Sequence, residues 1–289
     1  MRTEQMPSGR KGSRVLQYLR RTFPRPRILR IAIGIGGTVA VAYFIIWLGQ
    51  LGYYNLAYVQ GVFPKLLVGL GVTLELIGTV IPIGFALGLF FGWARTTPSG
   101  LLRGVGATYV EFFRGMPPLA LIFFTYLIAT LGLQQLTGDP FVARTVALWV
   151  GALALAFHSG AYQAEIIRAG LLSVPTGQLE AADAIGMSRF QSAFRVVLPQ
   201  AFRVSLPALG NEFSSVIKDT SLLNVIGWVD LIQLAFVNTY AGFSQYVYSS
   251  LVIWIEIAIL YFVITFCVNR TVRAIENTFK VPGLEAAEL

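Results

Sequence analysis

Six stretches of this chain are too apolar to stay in water. Residues 31–49 (IAIGIGGTVAVAYFIIWLG) hold no charge over 19 positions, about the length a helix needs to cross a ~30 Å hydrocarbon core. Further runs cover about 66–94, 117–133, 145–167 and 247–268, and a weaker one near 202–229 is interrupted by polar residues. Inside lipid the backbone must satisfy its own polar groups, and runs of this length do so as helices. The expected fold is an all-α integral membrane protein of about six transmembrane helices. Composition agrees: 12% of residues are charged, against roughly 25% in soluble domains, too few to cover a water-facing surface. Thirty residues precede the first run and its length exceeds a signal peptide's apolar core, so it reads as an uncleaved span of residues 31–50.

Of the 22 arginines and lysines, 19 fall in segments 1–30, 95–114, 168–203 and 270–289. Lys65 and Arg144 fall in the opposite loops, and Lys218 falls inside the fifth run. Basic loops mark the cytoplasmic side, which puts both termini inside, a parity that six spans satisfy. The net charge of +8 therefore reads as topology, and no nucleic-acid partner is expected. Residues 1–30 form a basic arm suited to anionic membrane lipid, and 271–289 a cytoplasmic tail. Cys267 is the only cysteine, which excludes an intrachain disulfide and reads as a small apolar residue of the last span.

Gly84, Gly88 and Gly92 recur every four residues in the second run and predict a flat face for close helix packing, with Pro82 kinking the same helix. Ionised side chains inside the membrane cost about 2.5–3.5 kcal/mol each, so they mark an interior or a cavity. Glu75 lies in the second run. His158, Tyr162 and Glu165 share one helical face of the fourth, with Ser159 beside them. The fifth carries Asn211, Glu212, Ser214, Ser215, Lys218, Asp219, Thr220 and Ser221, and the sixth carries Glu256. The set fits a wet pathway for a charged or zwitterionic solute. Glu165 has a second reading as a structural partner of Arg168, three residues on. The adjacent Lys218 and Asp219 point about 100° apart, so they cannot both meet one neighbour. His158, the only histidine, reads as a hydrogen-bonding residue, and Glu256 as a partner of a neighbouring helix.

Catalytic signatures are absent from the sequence. None of the four lysines precedes Ser or Thr, so no phosphate-cradling loop exists, and there is no His-Glu-x-x-His or Gly-x-Ser-x-Gly. Energy for transport must come from an ion gradient or a partner. Residues 180–199 offer a docking place: an acidic helix start at Glu180-Ala181-Ala182, a break at Gly186 and a stop at Leu198-Pro199. No span needs this polar segment for insertion, and a short helix pair offered to another protein accounts for it.

That segment resembles the cytoplasmic signature of bacterial binding-protein-dependent ABC importer permeases: Glu-Ala-Ala, three residues, Gly, nine residues, an aliphatic, one residue, Leu-Pro, with Val196 where isoleucine is common. Thr73-Leu74-Glu75-Leu76, Glu111-Phe112-Phe113-Arg114-Gly115-Met116-Pro117, Ser159-Gly160-Ala161-Tyr162-Gln163-Ala164-Glu165-Ile166 and Lys218-Asp219-Thr220-Ser221-Leu222 narrow the resemblance to the polar amino acid permeases. The similarity spans about 65–280.

The resemblance implies a five-helix permease core over 65–270, preceded here by an extra helix, with a coupling loop at 172–200. It implies that Glu180, Ala181, Ala182, Gly186, Leu198 and Pro199 couple to separate ATPase subunits, which hold ATP and Mg while this chain holds no cofactor or metal. A second copy or a related permease, an extracytoplasmic solute-binding protein and a polar amino acid complete the expected partners, at the bacterial cytoplasmic (inner) membrane. Glu165, Tyr162, Ser159, His158, Glu75, Lys218 and Asp219 are the expected pathway residues. Two other classes stay open, an ion-driven secondary transporter and a non-transporting assembly protein. The first lacks visible internal symmetry, and the second leaves the intramembrane charges without a use.

Overall fold

The computed structural model describes residues 55–242 and 247–278, with isolated positions between 36 and 47. The expected arm 1–30, nearly all of the extra span 31–50 and residues 279–289 of the tail lie outside the described residues. The first long helix, α1 (Leu56–Ala94), starts where the Asn55 side chain accepts the Tyr58 backbone N–H at 3.0 Å. It runs 39 residues, about 58 Å, through Pro64 and Pro82. Next come α2 (Gly100–Gly115), α3 (Pro118–Thr137) and α4 (Pro140–Leu172), the last capped by Asp139, whose carboxylate accepts from Phe141 and Val142.

Two short helices follow, α5 (Thr176–Ala184) and α6 (Arg189–Ser192), separated by Gly186 at φ +77°. Only an achiral residue takes that left-handed backbone without cost, so Gly186 is what lets the chain reverse between them. A wide π turn at Ala193–Val197 leads into α7 (Leu198–Asp219), then a 3-10 turn at Thr220–Ile226, α8 (Leu231–Gly242) and α9 (Val247–Thr278).

Among the described residues, α1, α3, α4 and α9 are long and apolar enough to cross a membrane. The pair Arg189–Ile226 and Leu231–Tyr240, bent by 53°, adds a fifth. The protein is thus a multi-pass helical membrane protein built on a five-span core.

Two sequence expectations are corrected. Segment 95–114 reads as a basic loop, yet residues 100–115 form α2, which Ser99 caps and whose buried Gly106, Tyr109 and Val110 face inward. The reason is its pattern: apolar residues recur at helical spacing around Arg103 and Arg114, so average hydropathy hides an amphipathic helix. Second, Leu198-Pro199 does not stop a helix. The chain stays helical from Arg189 to Asp219. A proline ring clashes with the carbonyl four residues back in a regular helix, and the wider turn at 193–197 moves that carbonyl away.

The glycine stripe packs α1 onto α4. A Cβ on Gly84 would lie 3.0 Å from the Gln163 amide nitrogen, one on Gly88 2.7 Å from Gln163 Cβ, and one on Gly92 2.8 Å from the Ala164 carbonyl oxygen. The rising numbers match along both helices, so α1 and α4 run parallel. The central core joins Leu76 and Val80 of α1, Ile122 of α3, Ala152, Leu155 and Ala156 of α4, and Val216, Leu223 and Ile226 after them. A second core packs α8 and α9 against the start of α1 through Leu66, Leu231, Ala235, Ile253 and Ile257.

Candidate solute site

The α2–α3 boundary sets one wall of the site. Met116 and Pro117 are extended, with ψ of 138° and 130°. A residue preceding proline is pushed out of the helical region, and two prolines in a row do this twice. The backbone therefore breaks at a half-exposed point about 21 Å along α2 from its start. At that break Arg114, Gly115, Met116, Pro117 and Pro118 line a cavity of about 450 Å³, closed on its other sides by His158 and Tyr162 of α4 and by Glu212, Ser215 and Asp219 of α7.

The cavity is polar on opposing walls. The Arg114 guanidinium lies over the Tyr162 ring, 5.0 Å from its centroid. Tyr162 is in turn paired with His158, ring centroids 5.1 Å apart, and His158 reaches the Met116 backbone. The guanidinium has no carboxylate within ion-pair distance among the described residues. Glu212 accepts a hydrogen bond from the Ser159 hydroxyl at 3.0 Å and feels both the attraction of Arg114 and the repulsion of Asp219. One unpaired cation thus faces two carboxylates inside an apolar bundle. Charges of both signs around one cavity can bind a zwitterion: the guanidinium has a planar fork for a carboxylate, and Glu212 and Asp219 can accept from an ammonium group.

Of the expected residues, His158, Tyr162 and Asp219 line this cavity, and Ser159 stands directly behind Glu212. Glu165 does not line it. Its carboxylate is held by Arg95 at the end of α1 and by Arg168 on its own helix. Although Glu165 lies seven residues from His158, the short side chain of α4 at that level meets α1 first, and both arginines reach it. Glu75 and Lys218 are exposed on α1 and α7 and line no part of the cavity, and the Lys218 charge acts on its neighbour Asp219.

Arg114, Glu212, Ser215 and Met116 line the cavity but are not among the seven expected pathway residues, although Glu212 and Ser215 belong to the polar set of the fifth run. For Arg114, its place in the Arg114-Gly115-Met116-Pro117 string before an apolar run is the available signal.

The Glu165 cluster makes a clear prediction. Its three groups are partly shielded, so removing the acid leaves two guanidinium groups facing each other. Glu165→Ala is expected to cost about 1–2 kcal/mol, between the under 1 of exposed pairs and the 3–5 of fully buried ones. Solute binding at the cavity is expected to stay unchanged. A melting curve in detergent with an equilibrium-binding titration checks both halves; weakened binding at unchanged melting would place Glu165 on the solute path after all.

Polar groups converging on a break inside a five-span bundle define a multi-pass membrane protein of the solute-handling kind. The chain belongs to the binding-protein-dependent transport system inner membrane component family, whose pattern matches residues 80–281. It is 38% identical over 218 residues to the L-cystine transport system permease protein TcyB of Bacillus subtilis, covering 75% of this chain and 88% of that one. It is 34% identical over 218 residues to the glutamine transport system permease protein GlnP of Escherichia coli K12, covering 75% and 94%. The crystal structure of an amino acid ABC transporter with histidines matches with a TM-score of 0.62 at 32% identity, over 78% of this chain and 98% of that one. An inward-facing structure of the MetNI methionine ABC transporter, at 23% identity and TM-score 0.56, shares the fold.

Proposed function

We propose that this chain forms the transmembrane path of an ATP-driven importer for a polar amino acid, and that the cavity between the α2–α3 break, α4 and α7 is where the solute rests. The single observation that carries the reading is the unpaired Arg114 guanidinium opposite Glu212 and Asp219. Arg114 takes the α-carboxylate, Glu212 and Asp219 take the ammonium, and Tyr162, His158 and Ser215 wall the remainder. The amino acid relatives support a substrate of this class. The cavity leaves room for a side chain beyond the shared amino-acid core.

Energy enters from separate ATPase subunits that hold ATP and Mg. Their contact is the segment containing Glu180, Ala181, Ala182 and Gly186 on α5 and the turn after it, with Leu198 and Pro199 at the start of α7. Closure of the ATPases moves this segment, and α4 and α7 carry the motion to the cavity, which then faces one side or the other. The chain works beside a second copy or a related permease and receives solute from an extracytoplasmic binding protein. Its basic end lies in the cytoplasm with both termini, in the bacterial inner membrane.

The test is uptake into vesicles holding this chain with its ATPase and binding protein. Internal or external ATP on the ATPase side is expected to drive accumulation, and a proton or sodium gradient alone is not. Uptake driven by a gradient without ATP would make the chain a secondary transporter. Absence of uptake under every condition, with the complex intact, would make it an assembly protein.

A further inference from the structure

Behind the cavity wall, two buried neutral side chains form a chain of hydrogen bonds that ends on Glu212. Gln163 is 0% exposed and Ser159 is 1% exposed, and neither lines the cavity. The Gln163 amide Nε2 donates to Ser159 Oγ at 2.8 Å, and Ser159 Oγ donates to Glu212 Oε1 at 3.0 Å. With Nε2 on the hydroxyl, the direction of this chain follows. An amide NH2 only donates, so the hydroxyl oxygen must accept from it, and the hydroxyl's own hydrogen is left for the carboxylate. Glu212 Oε1 is thereby occupied from behind, which leaves Oε2 for the cavity.

Gln163 sits there at a cost. Its Oε1 is buried with no hydrogen-bond partner among the described residues, and an unsatisfied buried acceptor destabilises a fold, whereas an apolar residue of the same shape would not. Helix α1 is shaped around it: a Cβ at Gly84 would stand 3.0 Å from Nε2 and one at Gly88 2.7 Å from its Cβ. The glycine stripe therefore fits the side chain closely and restricts its rotamer. A glutamine that only filled space would not need to aim its amide at a hydroxyl already bonded to the site carboxylate.

We infer that Gln163 is a positioning residue for solute binding: through Ser159 it fixes Glu212 as the acceptor for the substrate ammonium. The inference rests on the reading of the cavity as the amino-acid site. It assigns no contact between Gln163 and substrate; the effect passes through one hydroxyl.

The experiment uses the permease–ATPase complex in detergent and in vesicles, with radiolabelled L-histidine, L-glutamine and L-cystine as probes. Gln163→Leu and Ser159→Ala are each expected to raise the Kd of the accepted probe about 5- to 10-fold, the size of one ordinary intramolecular hydrogen bond. In Gln163→Leu the maximal ATP-driven uptake rate is expected to stay within error and the melting temperature to hold or rise, because an unsatisfied buried acceptor is removed. Because both variants break one chain, the double variant should bind no more weakly than the weaker single, a coupling that independent packing defects do not produce. Unchanged Kd in Gln163→Leu, or losses that multiply in the double variant, overturns the inference. Gln163→Met, which fills the same space flexibly, repeats the comparison if leucine prevents assembly, and wild-type affinity there is equally fatal. Glu212→Gln separates the two readings: normal affinity in that variant removes the cavity as the site, whereas lost affinity beside a normal Gln163→Leu removes only the positioning role.

Discussion

Arg114→Gln is expected to weaken amino-acid binding about 100-fold, the largest single loss in the site. The guanidinium is the one cationic group lining the cavity. Its bond to a carboxylate would be charge-assisted and bidentate, with bound solute shielding a guanidinium that is exposed in the free chain; losing such a pair costs about 2–5 kcal/mol, and a factor of 100 corresponds to about 2.7. Arg114→Lys should recover only part of the affinity, because an ammonium lacks the planar fork and the stacking over Tyr162. The fold should tolerate both changes, since Arg114 makes no ion pair among the described residues and ends its helix at a natural break. Equilibrium binding to the solubilised complex decides it: wild-type affinity in Arg114→Gln would remove the arginine, and with it the main support for the zwitterion site.

Gly186→Val and Glu180→Lys are expected to lower ATP-driven uptake more than about 100-fold while the chain still inserts and folds. Valine at a φ of +77° costs about 1–2 kcal/mol at that one residue and changes how α5 and α6 meet. Nothing lies within 4 Å of a Cβ built at Gly186, so no clash inside this chain explains a loss. Glu180 is exposed on α5, where a charge reversal leaves the bundle untouched and alters only a surface offered outward. Co-purification of the ATPase and uptake are measured together. Full uptake in both variants would remove the docking role from the segment.

The spans were legible because hydrocarbon imposes a rule on every residue in turn, and a run of 20 apolar side chains satisfies it visibly. The site was legible only in part. His158, Tyr162 and Asp219 stood out because a polar group in an apolar run is conspicuous by itself. Arg114 did not, since an arginine beside a run is also what a cytoplasmic loop contains, and only the extended backbone at Met116–Pro117 turns it inward. Glu212 was visible as one polar residue among eight in its span; what selects it is Ser159, 53 positions away in sequence. Gln163 carries no charge and so is less conspicuous in an apolar run than a carboxylate or a lysine. Its meaning is wholly in the direction of one amide. Glu165 shows the converse: helical periodicity groups it with His158, but Arg95, 70 positions earlier, claims it.

The unbroken helical path from Arg189 to Asp219 has a mechanical consequence. From Arg189 to Glu212 it forms a rod of about 35 Å. A tilt of about 10° at the Arg189 end carries the other end through about 6 Å, a distance comparable to the width of an amino acid. Under the proposed coupling, modest torque at the surface would be amplified into a change of cavity width, with the wide turn at Ala193–Val197 as the compliant joint.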